Sequence, residues 1–174
     1  MQLGVVGLGR MGLAVAGRAV DAGHDVVAFD LSAEQRAAAA ERGIDPVDAL
    51  EELVQALDDD LRIWLMVPAG DPVDATLEKL GPHLGDGDIV VDGGNSHFAD
   101  STRRAASVDA AYLDCGTSGG PASAEEGFSL MVGGPEWAYQ AMAPVFDAVA
   151  TGPDGHQRMG PSGAGHYVKM VHNG

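Results

Sequence analysis

Lys169, His172 and Asn173 fall at i, i+3 and i+4 of the run HYVKMVHNG, a spacing that sets all three on one face of a helix. Pro161, Ser162 and Gly163 mark the start of that helix. A helical lysine is ordinarily a solvated charge. Lys169, however, is one of only two lysines in the chain, with Lys79, and its neighbours are hydrogen-bonding groups, while Val168 and Val171 are free to pack on the other side. An amine so placed serves as a base once its surroundings bring its pKa from about 10.4 down toward about 7 to 8. Desolvation in a closed cleft has that effect.

A second constellation lies at the other end of the chain. GLGRMG puts Gly7, Gly9 and Gly12 in the GxGxxG spacing, after the apolar QLGVV and before the helix-compatible LAVAGRAV. In that strand–turn–helix context Gly7 allows a tight turn, Gly9 lets backbone approach a pyrophosphate, and Gly12 lets helix pack on strand. The intervening Leu8, Arg10 and Met11 bring backbone N–H groups to the phosphates at a helix amino terminus. Asp30 follows 18 residues after Gly12, where an acid hydrogen-bonds the adenosine ribose hydroxyls and repels a 2′-phosphate. No arginine comes directly after it, which favours NAD. Arg10 and Arg36 stand as 2′-phosphate partners, so NADP stays open.

Three further segments combine glycine or proline with small polar groups. They are MVPAG at 66–70, with Met66, Val67 and Pro68 beside the cofactor; DGGNS at 92–96, where Asn95 offers an amide; and CGTSGG at 115–120, with Ser118, Gly119 and Gly120. Each follows an apolar run, so all three meet at one rim of a sheet.

The elements that must position these groups are short. Apolar runs at 2–6, 25–29, 62–67, 88–92 and 110–114 read as strands buried on both faces. Helical patterns lie between them at 10–22, 33–42, 48–57, 72–80, 98–107 and 135–148, with a last helix from about 163 to 174. Regular alternation predicts an α/β, Rossmann-type doubly wound and mostly parallel sheet in one domain, 1–174. Ligands of such sheets collect beyond the carboxyl ends of the strands.

GLGRMG, MVPAG, DGGNS, TSGG, SLMVGG and KMVHNG, in this order, resemble the 6-phosphogluconate dehydrogenase family, in particular its shorter, NAD-linked branch. The sister β-hydroxyacid dehydrogenases, such as 3-hydroxyisobutyrate dehydrogenase, share the Gly-rich loop and an SGG segment but differ at DGGNS and KMVHNG. The resemblance implies oxidative decarboxylation of 6-phosphogluconate in the pentose phosphate pathway, with Lys169 and Asn173 catalytic and no metal. It implies that Asn95, Ser118, Gly119, Gly120, Lys169, His172 and Asn173 hold the sugar acid, and that the full-length enzyme is a homodimer or homotetramer. In the family the pattern continues past KMVHNG with a glutamate, a tyrosine and a long all-helical domain. The expectation is therefore a nucleotide-binding domain ended within its linking helix, weak in cofactor binding and nearly inert alone. Another β-hydroxyacid dehydrogenase and a non-catalytic dinucleotide-binding module remain the alternatives.

Other groups read as structural. Cys115 is expected to be a small buried filler, Asp58 to Asp60 a solvated loop, and Arg103 with Arg104 a helix surface; His166 and His172, six apart, cannot share a metal on one helical face. With one cysteine, no leader and no apolar run of about 20 residues, a cytoplasmic protein off the membrane is expected. The 174 residues hold 26 acidic against 10 basic side chains, a net charge of −16, which argues against nucleic acid. Eighteen of the acids are aspartate, as in proteins of salt-accumulating organisms. Self-repulsion at this charge opposes folding, and at about 1 M salt the screening length shrinks to about 3 Å. The melting temperature is therefore expected to climb steeply with KCl; a flat profile in a thermal scan removes the halophilic reading.

Overall fold

Strands made almost wholly of apolar residues need cover on both faces, and the chain supplies it with helices on either side of one sheet. The computed structural model describes residues 1–174. In chain order the elements are β1 (Gln2–Val6), α1 (Arg10–Asp21), β2 (Asp25–Phe29), α2 (Ala33–Ala40), β3 (Asp45–Val47), α3 (Leu50–Ala56), β4 (Arg62–Leu65), α4 (Asp71–Leu80), β5 (Ile89–Asp92) and α5 (Phe98–Ala105), followed by β6 (Ala111–Ser118), α6 (Ser123–Glu126), β7 (Ser129–Gly133), α7 (Glu136–Val149), β8 (His156–Gly160) and α8 (Ala164–Asn173). The sheet order is β3-β2-β1-β4-β5-β6-β7-β8, parallel except at the β6–β7 pair. Side chains alternate between two cores. Trp64, Val91 and Leu113 pack with Ala14, Val15, Met142 and Phe146 on the α1/α7 face. Ile63, Leu65, Val90 and Tyr112 pack with Leu53, Leu77 and Leu80 on the α3/α4 face.

The doubly wound class is as expected, but eight strands form where apolar runs predict five. β3 has three residues and contains Pro46, which an edge strand tolerates. β8 is the opposite edge and its burial alternates, so it never forms an apolar run. β7 is apolar and turns antiparallel against β6, which extends the sheet past the usual six strands. β6 itself runs on to Ser118, so Cys115, Gly116 and Thr117 are strand residues and not a rim loop; only Gly119 and Gly120 leave the sheet. α6 is a single turn with no sequence signature.

The last helix crosses β6 and β7, and its approach is set by missing side chains. A Cβ on Gly165 would strike the carbonyls of Asp114 and Met131, and one on Gly116 would sit 2.7 Å from Lys169 Cβ. Val171, expected to pack, is instead 60% exposed, along with Tyr167 and Met170. Gly165→Ala should lower unfolding free energy by about 1 to 3 kcal/mol or more through overpacking. Gly81→Ala, at a helical φ/ψ with nothing within 4 Å of its Cβ, should stay within about 0.5 kcal/mol of the parent. Equal urea midpoints for the two variants would contradict the packing account.

Candidate active site

Where the strand order reverses, between β1 and β4, a cleft of about 760 Å³ opens at the carboxyl ends of the strands. Gly7, Gly9, Arg10, Met11, Gly12, Asp30, Met66, Val67, Pro68 and Asn95 all line it. Gly7 takes φ +96°, closed to most side chains, and a Cβ on Gly12 would run into the Gly7 carbonyl. Nothing lies within 4 Å of the space a Gly9 Cβ would fill. That open space faces the first turn of α1, which has neither a capping side chain nor an acidic residue. Free backbone donors at the positive end of a helix suit a pyrophosphate.

Leu8 differs from expectation. Its side chain is fully buried and its N–H donates to Asp30 Oδ2 at 2.7 Å, so it holds the acid rather than a phosphate. Ser32 N–H donates to Asp30 Oδ1 at 2.8 Å, and the two bonds fix the carboxylate at the cleft's far end. Arg36 is drawn away from the lining. Its Nη1 donates to the Asp30 carbonyl at 2.8 Å and its Nε pairs with Asp48 at 3.1 Å. Arg10 stays on the lining, exposed. The residues present thus fit a dinucleotide with its phosphates on α1 and its ribose diol at Asp30.

Lys169 stands next to the cleft, bonded to Asn95 on its wall. Its Nζ donates to Asn95 Oδ1 and to the Thr117 carbonyl, the latter at 2.8 Å. Burial pulls its pKa below the ordinary lysine value, only partly offset by the nearby Cys115. Asp114, wholly buried in β6, sets the helix that carries it: Oδ1 accepts Gly163 N–H at 2.7 Å and Oδ2 accepts His166 N–H at 2.9 Å. Burial pushes the Asp114 carboxyl up, while those two donors pull it back.

The other candidates are spread. Ser118 and His172 share a second hollow of about 230 Å³, and Gly119 and Gly120 follow on exposed loop. Asn173 sits at the exposed helix end, where its Oδ1 pairs with His172 Nδ1 at 3.3 Å. Lys169 therefore meets Asn95, and His172 lines one hollow with Ser118, but the Asn173 side chain bonds only to His172. The glycines of DGGNS keep backbone on the cleft wall, since Gly93 and Gly94 both line it. They also make room for β4 and the segment after it: a Gly93 Cβ would strike Trp64 Nε1, and a Gly94 Cβ would lie 2.9 Å from the Val67 carbonyl. Cys115 is a buried filler whose thiol burial pushes up to about 12.

Arg104 is the residue that pattern reading misplaces. It is 1% exposed, not a surface decoration. Its Nε and Nη2 grip both oxygens of Asp74 at 2.9 and 3.1 Å, Nη2 reaches the Gly70 carbonyl at 3.1 Å, and Nη1 reaches Ser96 Oγ at 3.1 Å. The guanidinium holds the Asp74 carboxyl below its usual range, and Arg103 adds to that from the surface. No periodicity in FADSTRRA announces a buried cation.

Residues 2–163 match the family described as the NAD binding domain of 6-phosphogluconate dehydrogenase. The chain belongs to that family. It is 72% identical over all of its 174 residues to an NAD(+)-dependent, decarboxylating 6-phosphogluconate dehydrogenase of Haloferax volcanii, covering 58% of that protein. Among solved structures, 6-phosphogluconate dehydrogenase of Plasmodium falciparum superposes with a TM-score of 0.90 at 30% identity, over 99% of this chain and 40% of the other. The 3-hydroxyisobutyrate dehydrogenase of Mycobacterium tuberculosis gives 0.89 at 26% identity, over 99% and 58%. The chain thus spans less than two thirds of the length of each. Asn95 lines the cleft and also accepts the hydrogen bond of Lys169, which places the amine beside the cleft wall.

With only two lysines, Lys169 is open to direct titration by nitrogen-15 NMR, with Lys79→Arg to assign the signals. Its midpoint is expected below about 10.4. Between the lowered folded midpoint and that unfolded value the unfolded chain carries more protons, so the stability linked to Lys169 rises with pH across the window. A Lys169 midpoint at or above the unfolded value, or no such rise relative to Lys169→Met, contradicts the burial of the amine.

Proposed function

We propose that this chain is the dinucleotide-binding and base-bearing domain of a decarboxylating, NAD-dependent 6-phosphogluconate dehydrogenase acting in the pentose phosphate pathway. The observation that carries the reading is a half-buried amine, lowered in pKa by desolvation, hydrogen-bonded to Asn95 where the dinucleotide-shaped cleft ends. Its membership in the family and its likeness to the NAD(+)-dependent Haloferax volcanii enzyme support the same choice of substrate and cofactor.

In this reading neutral Lys169 takes the proton from the hydroxyl on carbon 3 of 6-phosphogluconate. The bound nicotinamide supplies the hydride acceptor for that carbon. The resulting 3-keto acid loses its carboxylate as carbon dioxide, and Lys169 returns its proton to the carbonyl oxygen. Asn95 keeps the amine oriented through its carbonyl oxygen, and with Ser118, Gly119, Gly120, His172 and Asn173 it holds the sugar acid. The hollow shared by Ser118 and His172 supports a binding surface continuous with the amine, because Thr117, whose carbonyl Lys169 grips, directly precedes Ser118. Asp30, held by two backbone N–H groups, with Arg36 engaged by Asp48 and the Asp30 carbonyl, supports NAD over NADP. No helix is long and apolar enough to cross a membrane. We place the enzyme in the cytoplasm, as a homodimer or homotetramer, on the family resemblance.

The full-length enzyme carrying this domain should reduce NAD with 6-phosphogluconate and release carbon dioxide, while 3-hydroxyisobutyrate gives no reduction. Lys169→Met should lower kcat by about 10²-fold to 10⁴-fold, with dinucleotide affinity in calorimetric titration unchanged. Full turnover by Lys169→Met, or preference for the unphosphorylated acid, would overturn the assignment.

A further inference from the structure

The proposed chemistry needs the amine and the nicotinamide side of the cleft held at a fixed separation, yet Asn95, which the amine bonds, and the cofactor side lie on different loops. The loop 66–70 leads from β4 into α4 on the cofactor side, and the loop 93–97 leads from β5 into α5 on the amine side. The loops pack on each other where Gly94 meets Val67, and one buried cation hydrogen-bonds to both. Arg104 Nη2 donates to the carbonyl of Gly70, at the end of the first loop, and Nη1 donates to Ser96 Oγ in the second.

We propose that Arg104 is a positioning residue that acts through Ser96 on Asn95, holding Asn95 against Lys169 and fixing the amine loop relative to the cofactor loop. The inference rests on the dehydrogenase reading above for its purpose, and on geometry for its substance. Asn95 is exposed and has little packing of its own to hold it. The residues on either side of it are tied down. Gly94 N–H donates to Asp92 Oδ1 at 3.1 Å, and Ser96 Oγ donates to Asp92 Oδ2 at 2.6 Å. Tyr112 donates to the same Oδ2 at 2.7 Å, and Arg104 Nη1 lies 3.8 Å from it, so the buried Asp92 is balanced by a cation and three donors.

Stability alone does not account for such a cation. A buried ion pair generally breaks about even with apolar residues of the same volume, so its presence is weak evidence of a stabilising role. What an apolar side chain cannot do is bridge two carbonyl-and-hydroxyl loops while gripping a helix. The planar guanidinium does so with fixed donor directions: two toward Asp74 in α4, one toward Gly70 and one toward Ser96. Lysine keeps the charge but carries its donors on a single point at the end of a flexible stem, so it cannot span the same partners.

This difference gives the test. In the 174-residue chain, labelled at lysine nitrogen, Asn95→Ala should move the Lys169 titration midpoint. Arg104→Lys should move it to the same value, and should add nothing in the Asn95→Ala background, the signature of two residues acting through one contact. In the full-length enzyme Arg104→Lys should lower kcat by about 10²-fold, as for a reacting group displaced by about 1 Å, with dinucleotide affinity changed far less. Should Arg104→Lys give an undispersed spectrum, Ser96→Ala, which leaves the Arg104–Asp74 pair intact, provides the same readout and should move the midpoint in the same direction. A folded Arg104→Lys or Ser96→Ala chain that melts lower but keeps the parent Lys169 midpoint would show a merely structural role and overturn the proposal. The titration needs neither cofactor nor substrate. An enzyme inert toward 6-phosphogluconate whose Lys169 midpoint still follows Arg104 would therefore sink the dehydrogenase reading and leave the positioning role standing.

Discussion

A single buried carboxylate sets the geometry of the amine. Asp114 lies in the middle of β6 with no exposed surface, and both of its oxygens accept backbone N–H groups from the start of α8. Removing a carboxylate from water is unfavourable, and the two donors with the positive end of the helix offset that penalty. The contact requires that nothing stand between strand and helix. Glycines at 116, 133 and 165 meet that requirement, since a Cβ at any of them would enter the space of the opposing element. Lys169 reaches Thr117 and Asn95 because α8 lies this close to β6.

A protein with a net charge of −16 is a poor host for an anionic dinucleotide or sugar acid unless its local field runs against the global one. The cleft shows how that reversal is made. The first turn of α1 is free of acids, Arg10 and Lys79 stand on the lining, and the pyrophosphate end depends on backbone donors whose dipole does not titrate. The one acid on the wall, Asp30, is at the end where a carboxylate suits a diol. Salt that screens the distant surface charge leaves short contacts of this kind largely intact.

Legibility in the sequence followed physical range. The turn at Gly7, the helix packing at Gly12 and the strand-end Asp30 are local consequences of a few residues, and all were readable. So was the last helix, whose spacing is local even though its partners are not. β8 and β3 were not, because edge strands lack the apolar runs that burial on both faces imposes. Arg104 was misread for a different reason. Its burial depends on Asp74, Gly70, Asp92 and Ser96 arriving from other elements, and a helix bearing two adjacent arginines reads equally well as solvated. Gly93 and Gly94 line the cleft as glycines after a strand can, but that they also make room for Trp64 and Val67 depends on atoms which only the folded sheet brings near.

Lys169, His172 and Asn173, on one face of α8, are not held with equal firmness. Asp114 grips the helix at Gly163 and His166, and at about 1.5 Å of rise per residue Lys169 stands only about 4.5 Å beyond the second grip, whereas Asn173 stands about 10 Å beyond it. The helix is therefore a short lever with its fulcrum in the sheet. A tilt about that fulcrum moves the amine by a little under half of what it gives the tip, so whatever engages His172 and Asn173 is geared to the base at a fixed, reduced ratio.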